Sequence, residues 1–165
     1  MHKSKPAYDA IKNGHLDALR AFLDSDPSLV HAMTPFGPLL HVAARLGDET
    51  MINLLLERGA DIQARGGILG GTALNEAASD ARLGAVQLLL RLGAQMDISE
   101  PERNPLFSAI HSGSLEIVRL LVERGIDTTV AYTGESMKSM NAAAFALEMG
   151  KTKIVHFLRT RLQEV

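Results

Sequence analysis

The sequence predicts an all-α solenoid in which short pairs of helices stack side by side. Three observations lead to this prediction: a motif recurs at steps of 32 to 37 residues, each copy carries an apolar stripe with helical spacing, and small residues mark the ends of its helices. A single helix pair cannot bury such a stripe, whereas stacked neighbours can. We therefore expect one domain, residues 1–165, with a core shared between units.

The repeated unit is clearest in the middle of the chain. Three copies read LLHVAARLGDETMINLLLERGADI, TALNEAASDARLGAVQLLLRLGAQM and NPLFSAIHSGSLEIVRLLVERGIDT, and weaker copies occupy 5–23 and 141–159. A small residue stands in the middle of every copy, in the order Gly14, Gly47, Ala81, Gly113 and Gly150. The five predicted units are 1–32 as an N-terminal cap, 33–65, 66–98, 99–130, and 131–165 as a C-terminal cap.

Each unit is expected to form two helices. In the second unit, Leu40, Ala43 and Ala44 share one face of the first helix, and the apolar run around Leu55 gives the second helix a broad stripe. Gly47 stands where the first helix should stop, because the residue after a helix often takes a left-handed conformation that glycine tolerates. Helix starts are marked by the N-cap residues Thr72, Asn104 and Asn141.

The two end units depart from the pattern. In the segment DSDPSLV (24–30), Pro27 takes the place of the glycine stop and should end or redirect the helix. The last predicted helix carries basic side chains that suit a water-facing cap, namely Lys151, Lys153, Arg159 and Arg161.

The unit resembles the ankyrin repeat, whose pattern is Thr-Pro-Leu-His, two alanines, a glycine, a Val-x-x-Leu-Leu segment and Gly-Ala. The second unit carries the resemblance best, through His41, Ala43, Ala44, Gly47, Ile52, Leu55, Leu56, Gly59 and Ala60. The similarity extends from residue 5 to residue 162. It implies a solenoid of five helix-turn-helix units with short β-turn or hairpin fingers between them.

Departures from the family pattern fall at the histidine position and in the last finger. The family's histidine braces the loops by hydrogen bonding, and that position holds Tyr8, His41, Asn75, Phe107 and Ala144. Only His41 and Asn75 are expected to act as braces. The longer segment AYTGESMKSMN (131–141) predicts an extended or disordered finger.

The resemblance further implies non-catalytic binding of a protein on the concave side, formed by the first helices and the fingers. The candidate contact residues are Phe36, Arg45, Leu46, Ile68, Leu69, Ser79, Asp80, Arg103, His111, Ser112, Met137, Met140, Glu148 and Met149. Apolar points within a polar rim suit a protein partner. The sequence does not choose between the roles of scaffold, adaptor and regulator, and it does not identify the partner.

The stretch RGGILGGTAL (65–74) offers an alternative function. Gly66 to Gly71 has the glycine spacing of a phosphate-binding loop, and Thr72 follows. The lysine of such a loop is missing, and the preceding pattern ends a helix rather than a strand. We therefore predict a β-turn finger with Ile68 and Leu69 at its tip. Binding of a small anion or nucleotide by amides of Gly66–Thr72 stays open as the alternative.

Composition and charge argue against several classes of protein. The formal net charge is −2 with a pI of about 6.3, which gives no concentrated positive charge for nucleic acid. No stretch approaches the roughly 18 apolar residues of a membrane span, and no secretory signal opens the chain. The chain has no cysteine, which fits a reducing compartment. We expect a cytoplasmic monomer, with self-association left open.

Candidate chemistry is sparse. No two of the six histidines are four residues apart, and no Gly-x-Ser-x-Gly elbow occurs. Glu76 and Asp80 lie one helical turn apart, and we interpret them as part of a solvated face rather than as a catalytic pair. The sequence predicts no enzyme activity, no cofactor and no metal site.

Overall fold

The computed structural model describes residues 4–67, 69–134 and 137–163, and for residues 162 and 163 it describes the backbone alone. Within these ranges the chain forms ten α-helices arranged as five pairs. The helices are α1 Lys5–Lys12, α2 Leu16–Ser25, α3 Leu39–Leu46, α4 Glu49–Glu57, α5 Ala73–Ser79, α6 Leu83–Arg91, α7 Pro105–Ser112, α8 Leu115–Glu123, α9 Ala142–Glu148 and α10 Thr152–Gln163. The predicted all-α repeat fold is therefore confirmed.

The helices stack in two layers. The first helices α1, α3, α5, α7 and α9 pack in sequence order, and the second helices α2, α4, α6, α8 and α10 pack beside them in the same order. Alanines at equivalent positions allow the first helices to approach closely, and all are buried: Ala10, Ala43, Ala77, Ala109 and Ala146. Buried leucines fill the second layer, namely Leu19, Leu55, Leu89, Leu121 and Leu158. Each pair thus buries its stripe against its neighbours.

The middle of every unit turns through a left-handed residue. The φ angles of Gly14, Gly47, Ala81, Gly113 and Gly150 are 72°, 77°, 55°, 78° and 68°. The first helix therefore ends in the same way in all five units, as the spacing of small residues predicts. Ala81 holds this conformation despite its Cβ atom, which costs an L-residue free energy that glycine avoids.

The predicted helix starts are present. The Asn104 side chain accepts a hydrogen bond from the Leu106 N–H, and the Asn141 side chain accepts one from the Ala144 N–H. Thr72 caps α5, and its own N–H donates to the Asn75 Oδ1. Pro27 ends α2 as expected and begins a short 3-10 helix, Pro27–His31.

The fingers between units are of two kinds. Strands β1 (Met33–Thr34) and β2 (Gly37–Pro38) pair as a small hairpin, and single bridges join Gly66 to Gly71 and Tyr132 to Met140. The finger before α7 instead contains a 3-10 helix, Pro101–Arg103. Pro101 stands at the first position of this helix, where its fixed φ suits a helical start and its missing N–H is not needed.

Side chains from neighbouring parts of the chain hydrogen-bond to backbone carbonyls in and beside the fingers and so brace them. His41 Nε2 lies 2.9 Å from the Ala64 carbonyl oxygen, and Asn75 Nδ2 donates to the Arg103 carbonyl oxygen at 2.6 Å. Both braces were expected at these positions. A third brace comes from a residue that was not predicted to act in this way: the Tyr132 hydroxyl donates to the Ile98 carbonyl oxygen at 2.8 Å.

Candidate functional site

Three cavities adjoin on the side of the solenoid formed by the first helices and the fingers. We call them the N-terminal, central and C-terminal cavities, with volumes of about 220, 380 and 190 Å³. The first two share Phe36, Arg45 and Asp80, and the last two share Leu69, Ser79 and His111. Together they form one continuous depression across units one to five, which we call the groove.

The N-terminal cavity is built on an aromatic stack. The Phe36 ring lies 5.9 Å from the Tyr8 ring, nearly parallel to it, and the Arg45 guanidinium lies 5.5 Å from the Phe36 ring centre. A cation over an aromatic face is attracted by the ring quadrupole, so Arg45 and Phe36 hold each other in place. Leu46, which is 43% exposed, completes the wall.

The central cavity contains one guanidinium between two carboxylates. Arg45 Nε lies 3.4 Å from Glu76 Oε2 and 3.5 Å from Asp80 Oδ2. The Asp80 side chain is exposed, as expected for a solvated face, but the Glu76 side chain is only 19% exposed and is therefore less solvated than predicted. Burial raises the pKa of Glu76 above its usual value, Arg45 opposes that change, and Asp80 adds to it. The local charge is negative when both carboxylates are ionised.

The C-terminal cavity is mainly apolar. Phe107 and Phe145 stack with ring centres 4.8 Å apart, and the Tyr132 ring meets Phe107 edge-on at 5.1 Å. Leu69, at the tip of its finger and 61% exposed, and Met137 complete the apolar lining. The aromatic pair supplies a fixed apolar surface, while the two finger residues stand at the open side.

Eight of the predicted contact residues line the groove. They are Phe36, Arg45, Leu46, Leu69, Ser79, Asp80, His111 and Met137. Five others do not line these cavities, namely Arg103, Ser112, Met140, Glu148 and Met149. Ile68 lies outside the described residues.

Two residues outside the groove have structural contacts that explain their position. The Ser112 Oγ lies 2.9 Å from the Ala78 carbonyl oxygen and 3.0 Å from that of Ala109, so this hydroxyl joins α7 to α5. The Arg103 guanidinium pairs with Glu100 at 3.4 Å, and the backbone carbonyl of Arg103 accepts the hydrogen bond from Asn75 Nδ2. The Ser112 side chain and the Arg103 backbone therefore join neighbouring units, whereas the Arg103 guanidinium pairs within its own finger.

Sequence reasoning missed several residues that line the groove. Tyr8, Glu76, Arg82, Phe107 and Phe145 all contribute to its walls. Tyr8 and Phe107 occupy the family's histidine position, and an aromatic ring at that position was the one signal that could have pointed to them.

The glycine-rich finger has the predicted turn, and two of its amides donate within the protein. The Gly66 N–H donates to the Gly71 carbonyl at 3.0 Å, and the Thr72 N–H donates to Asn75 Oδ1 at 3.1 Å. Helix α4, not a strand, precedes the finger. The Gly66 and Thr72 donors are therefore already used within the protein.

The described ranges contain neither a candidate metal site nor a helix that could span a membrane. Within 4–67, 69–134 and 137–163, no three histidine, aspartate or glutamate side chains come together as metal ligands would. In the same part of the chain, every helix is too short or too polar to cross a bilayer.

Comparison with known proteins identifies the family. The sequence model described as ankyrin repeats (3 copies) matches residues 40–132 and 74–164. Because the matches cover most of the chain, this protein belongs to the ankyrin repeat family. Members are generally protein–protein interaction modules and generally non-catalytic.

Several curated proteins are similar to this chain. An ankyrin repeat domain-containing protein, SAT10, from Stachybotrys chartarum is 30% identical over 81% of the chain. A probable E3 ubiquitin-protein ligase, XBOS33, from Oryza sativa is 35% identical over 77% of the chain. A homolog of the transient receptor potential cation channel subfamily A member 1 from Caenorhabditis elegans is 32% identical over 68%. The matched regions span only 8%, 25% and 9% of these relatives, respectively.

Proposed function

We propose that this protein is a non-catalytic binding module that holds a partner protein in the groove. The continuity of the three cavities is the observation that carries the proposal. It gives an extended surface with exposed apolar side chains, Phe36, Leu46 and Leu69, among charged ones. Such a mixture is typical of surfaces that bind proteins.

Rigidity supports the same function. The walls of the groove are helices with buried inner faces, and the fingers are braced by His41, Asn75 and Tyr132. A surface that is already ordered loses little conformational freedom when it binds, so more of the contact energy becomes affinity. A scaffold, adaptor or regulator would all use the groove in this way. We further propose that the protein acts as a monomer in the cytoplasm, in keeping with the absence of cysteine.

A comparison of surface variants tests this function. Leu46→Ser with Leu69→Ser removes two exposed leucines from the groove, and Leu92→Ser removes one that is 46% exposed at the end of α6. Proteins captured from a cell extract by the wild type are expected to be lost with the groove variant and retained with the Leu92 variant. Equal capture by all three proteins would contradict binding in the groove, provided that their melting temperatures agree.

A further inference from the structure

We propose that the C-terminal cavity takes one large apolar side chain of the partner, and that the same partner segment carries a lysine or arginine beside it. The cation would face the carboxylates of Glu102, Glu76 and Asp80. This inference rests on the proposed function and specifies the chemistry of the partner.

The size and lining of the cavity favour a side chain as the occupant. Its volume is about 190 Å³, below the roughly 300 Å³ at which pockets for drug-sized ligands begin. Leu69, Pro101, Phe107, Met137 and Phe145 supply its apolar lining. An apolar side chain that fills such a pocket at an interface is the usual form of a binding hot spot.

The charge around the cavity favours a basic neighbour. Among the described residues that line the C-terminal and central cavities, the carboxylates are Glu76, Asp80 and Glu102, and Arg45 is the one lysine or arginine. Arg45 is shared by Glu76 and Asp80, so a negative charge is left over in this half of the groove. Burial has already raised the pKa of Glu76, and a cation placed nearby would offset the cost of its ionised form.

The opposite end of the groove has the opposite charge. The N-terminal cavity is lined by Lys12, Arg45 and Arg82 against Asp80. The partner's basic residue therefore belongs at the end that contains Phe107 and Phe145. Complementary charge at an interface fixes orientation and excludes wrong partners.

Peptide selection tests this chemistry without knowledge of the natural partner. Random peptides displayed on phage are selected against the wild-type protein, and enriched peptides are labelled for fluorescence anisotropy. We expect enriched peptides to carry a large apolar residue close to a lysine or arginine. Replacing that apolar residue by alanine should weaken binding about 30-fold.

A charge swap locates the basic residue. Glu102 is exposed, so Glu102→Lys should leave the fold intact while it weakens the basic peptide about tenfold. Glutamate in place of the peptide's basic residue should then restore affinity for the Glu102→Lys protein. The matched control is Glu57→Lys, at an exposed position on α4, which should leave binding unchanged.

The outcomes separate this inference from the proposed function. Peptides without basic residues, or binding unaffected by Glu102→Lys, would overturn the inference alone if Leu69→Ser still abolished binding. Binding that ignores both Leu69→Ser and Leu46→Ser would overturn both proposals. Failure to enrich any peptide would also count against a short anchoring segment, and it would leave the capture experiment with the natural partner to decide the broader function.

Discussion

The His41 imidazole is completely buried, and its Nε2 atom lies 2.9 Å from the carbonyl oxygen of Ala64. A carbonyl oxygen only accepts, so Nε2 carries the proton and donates it. The Nδ1 atom has no hydrogen-bond partner in the part of the chain that the structure describes. It faces Gly37, where a side chain would collide with the ring: a Cβ atom would lie 2.6 Å from Nδ1.

This relationship predicts that stability depends on pH through His41. Burial lowers the pKa of His41 below its ordinary value, and the hydrogen bond to Ala64 opposes the change only in part. As the pH falls, His41 of the unfolded chain therefore binds a proton first, at about pH 6.5. The stability that neutral His41 contributes to the folded protein is fully present above that pH. It is lost as the pH falls toward the lower pKa that His41 has in the folded protein.

Urea unfolding of the wild type and of His41→Asn, measured between about pH 5 and pH 8, checks this expectation. Asparagine makes the corresponding brace at position 75 and does not titrate in this range. The wild type should lose more stability than the variant on acidification. Parallel pH profiles would show that protonation of His41 is not coupled to folding.

The left-handed Ala81 predicts a stabilising substitution. Ala81→Gly should raise the free energy of unfolding by about 0.5–1 kcal/mol, because glycine adopts the left-handed conformation without strain. The greater freedom of glycine in the unfolded chain offsets only part of this gain. Gly14→Ala is the matched reverse change, since its Cβ would enter open space and only the backbone would be strained. It should cost about 1 kcal/mol. Thermal or urea unfolding of both variants gives the result, and a destabilised Ala81→Gly protein would refute it.

The shared core predicts a sharp contrast between leucines. Leu55 and Leu89 are fully buried in the layer of second helices. Leu55→Ala or Leu89→Ala should each lower the free energy of unfolding by about 2–5 kcal/mol. Leu46→Ala, at an exposed position in the groove, should change it by less than about 0.5 kcal/mol. Losses of similar size at all three positions in denaturant titrations would contradict the described packing.

The Tyr132 hydroxyl predicts a cost for removing one oxygen atom. It donates to the Ile98 carbonyl at 2.8 Å and accepts from Asn104 Nδ2 at 2.9 Å. Tyr132→Phe leaves the buried Asn104 amide without this acceptor, which should cost about 1–3 kcal/mol. Tyr8→Phe, which keeps the stack on Phe36, serves as the control and should be nearly neutral. Equal melting temperatures for the two variants would mean that the Tyr132 hydrogen bonds add no net stability.

Local features of the fold could be predicted from the sequence because each depends on a few neighbouring residues. The residue type at the position itself favours the left-handed turns at Gly47 and Gly113 and the caps at Asn104 and Asn141. The 3-10 helix in the finger before α7 was not predicted, although Pro101 at its first position fixes a helical φ.

The groove was predicted less completely because its walls come from different units. Arg45 meets Glu76 and Asp80 from the next unit, and Phe107 meets Phe145 from the one that follows its own. Local periodicity places each of these residues on a helix, but it does not show which side chains from separate helices come into contact. An aromatic residue in place of the family's histidine was therefore interpreted as a lost brace and not as a wall of the groove.

The hydrogen bonds that brace the fingers also bear on how the protein folds during its synthesis. The hydrogen bonds from His41 to Ala64, from Asn75 to Arg103 and from Tyr132 to Ile98 join residues that are 23, 28 and 34 positions apart in the chain. A nascent polypeptide leaving the ribosome can therefore complete its early contacts before its later residues have been translated. Synthesis and folding can proceed together in the same direction, each new unit using the preceding one as its template.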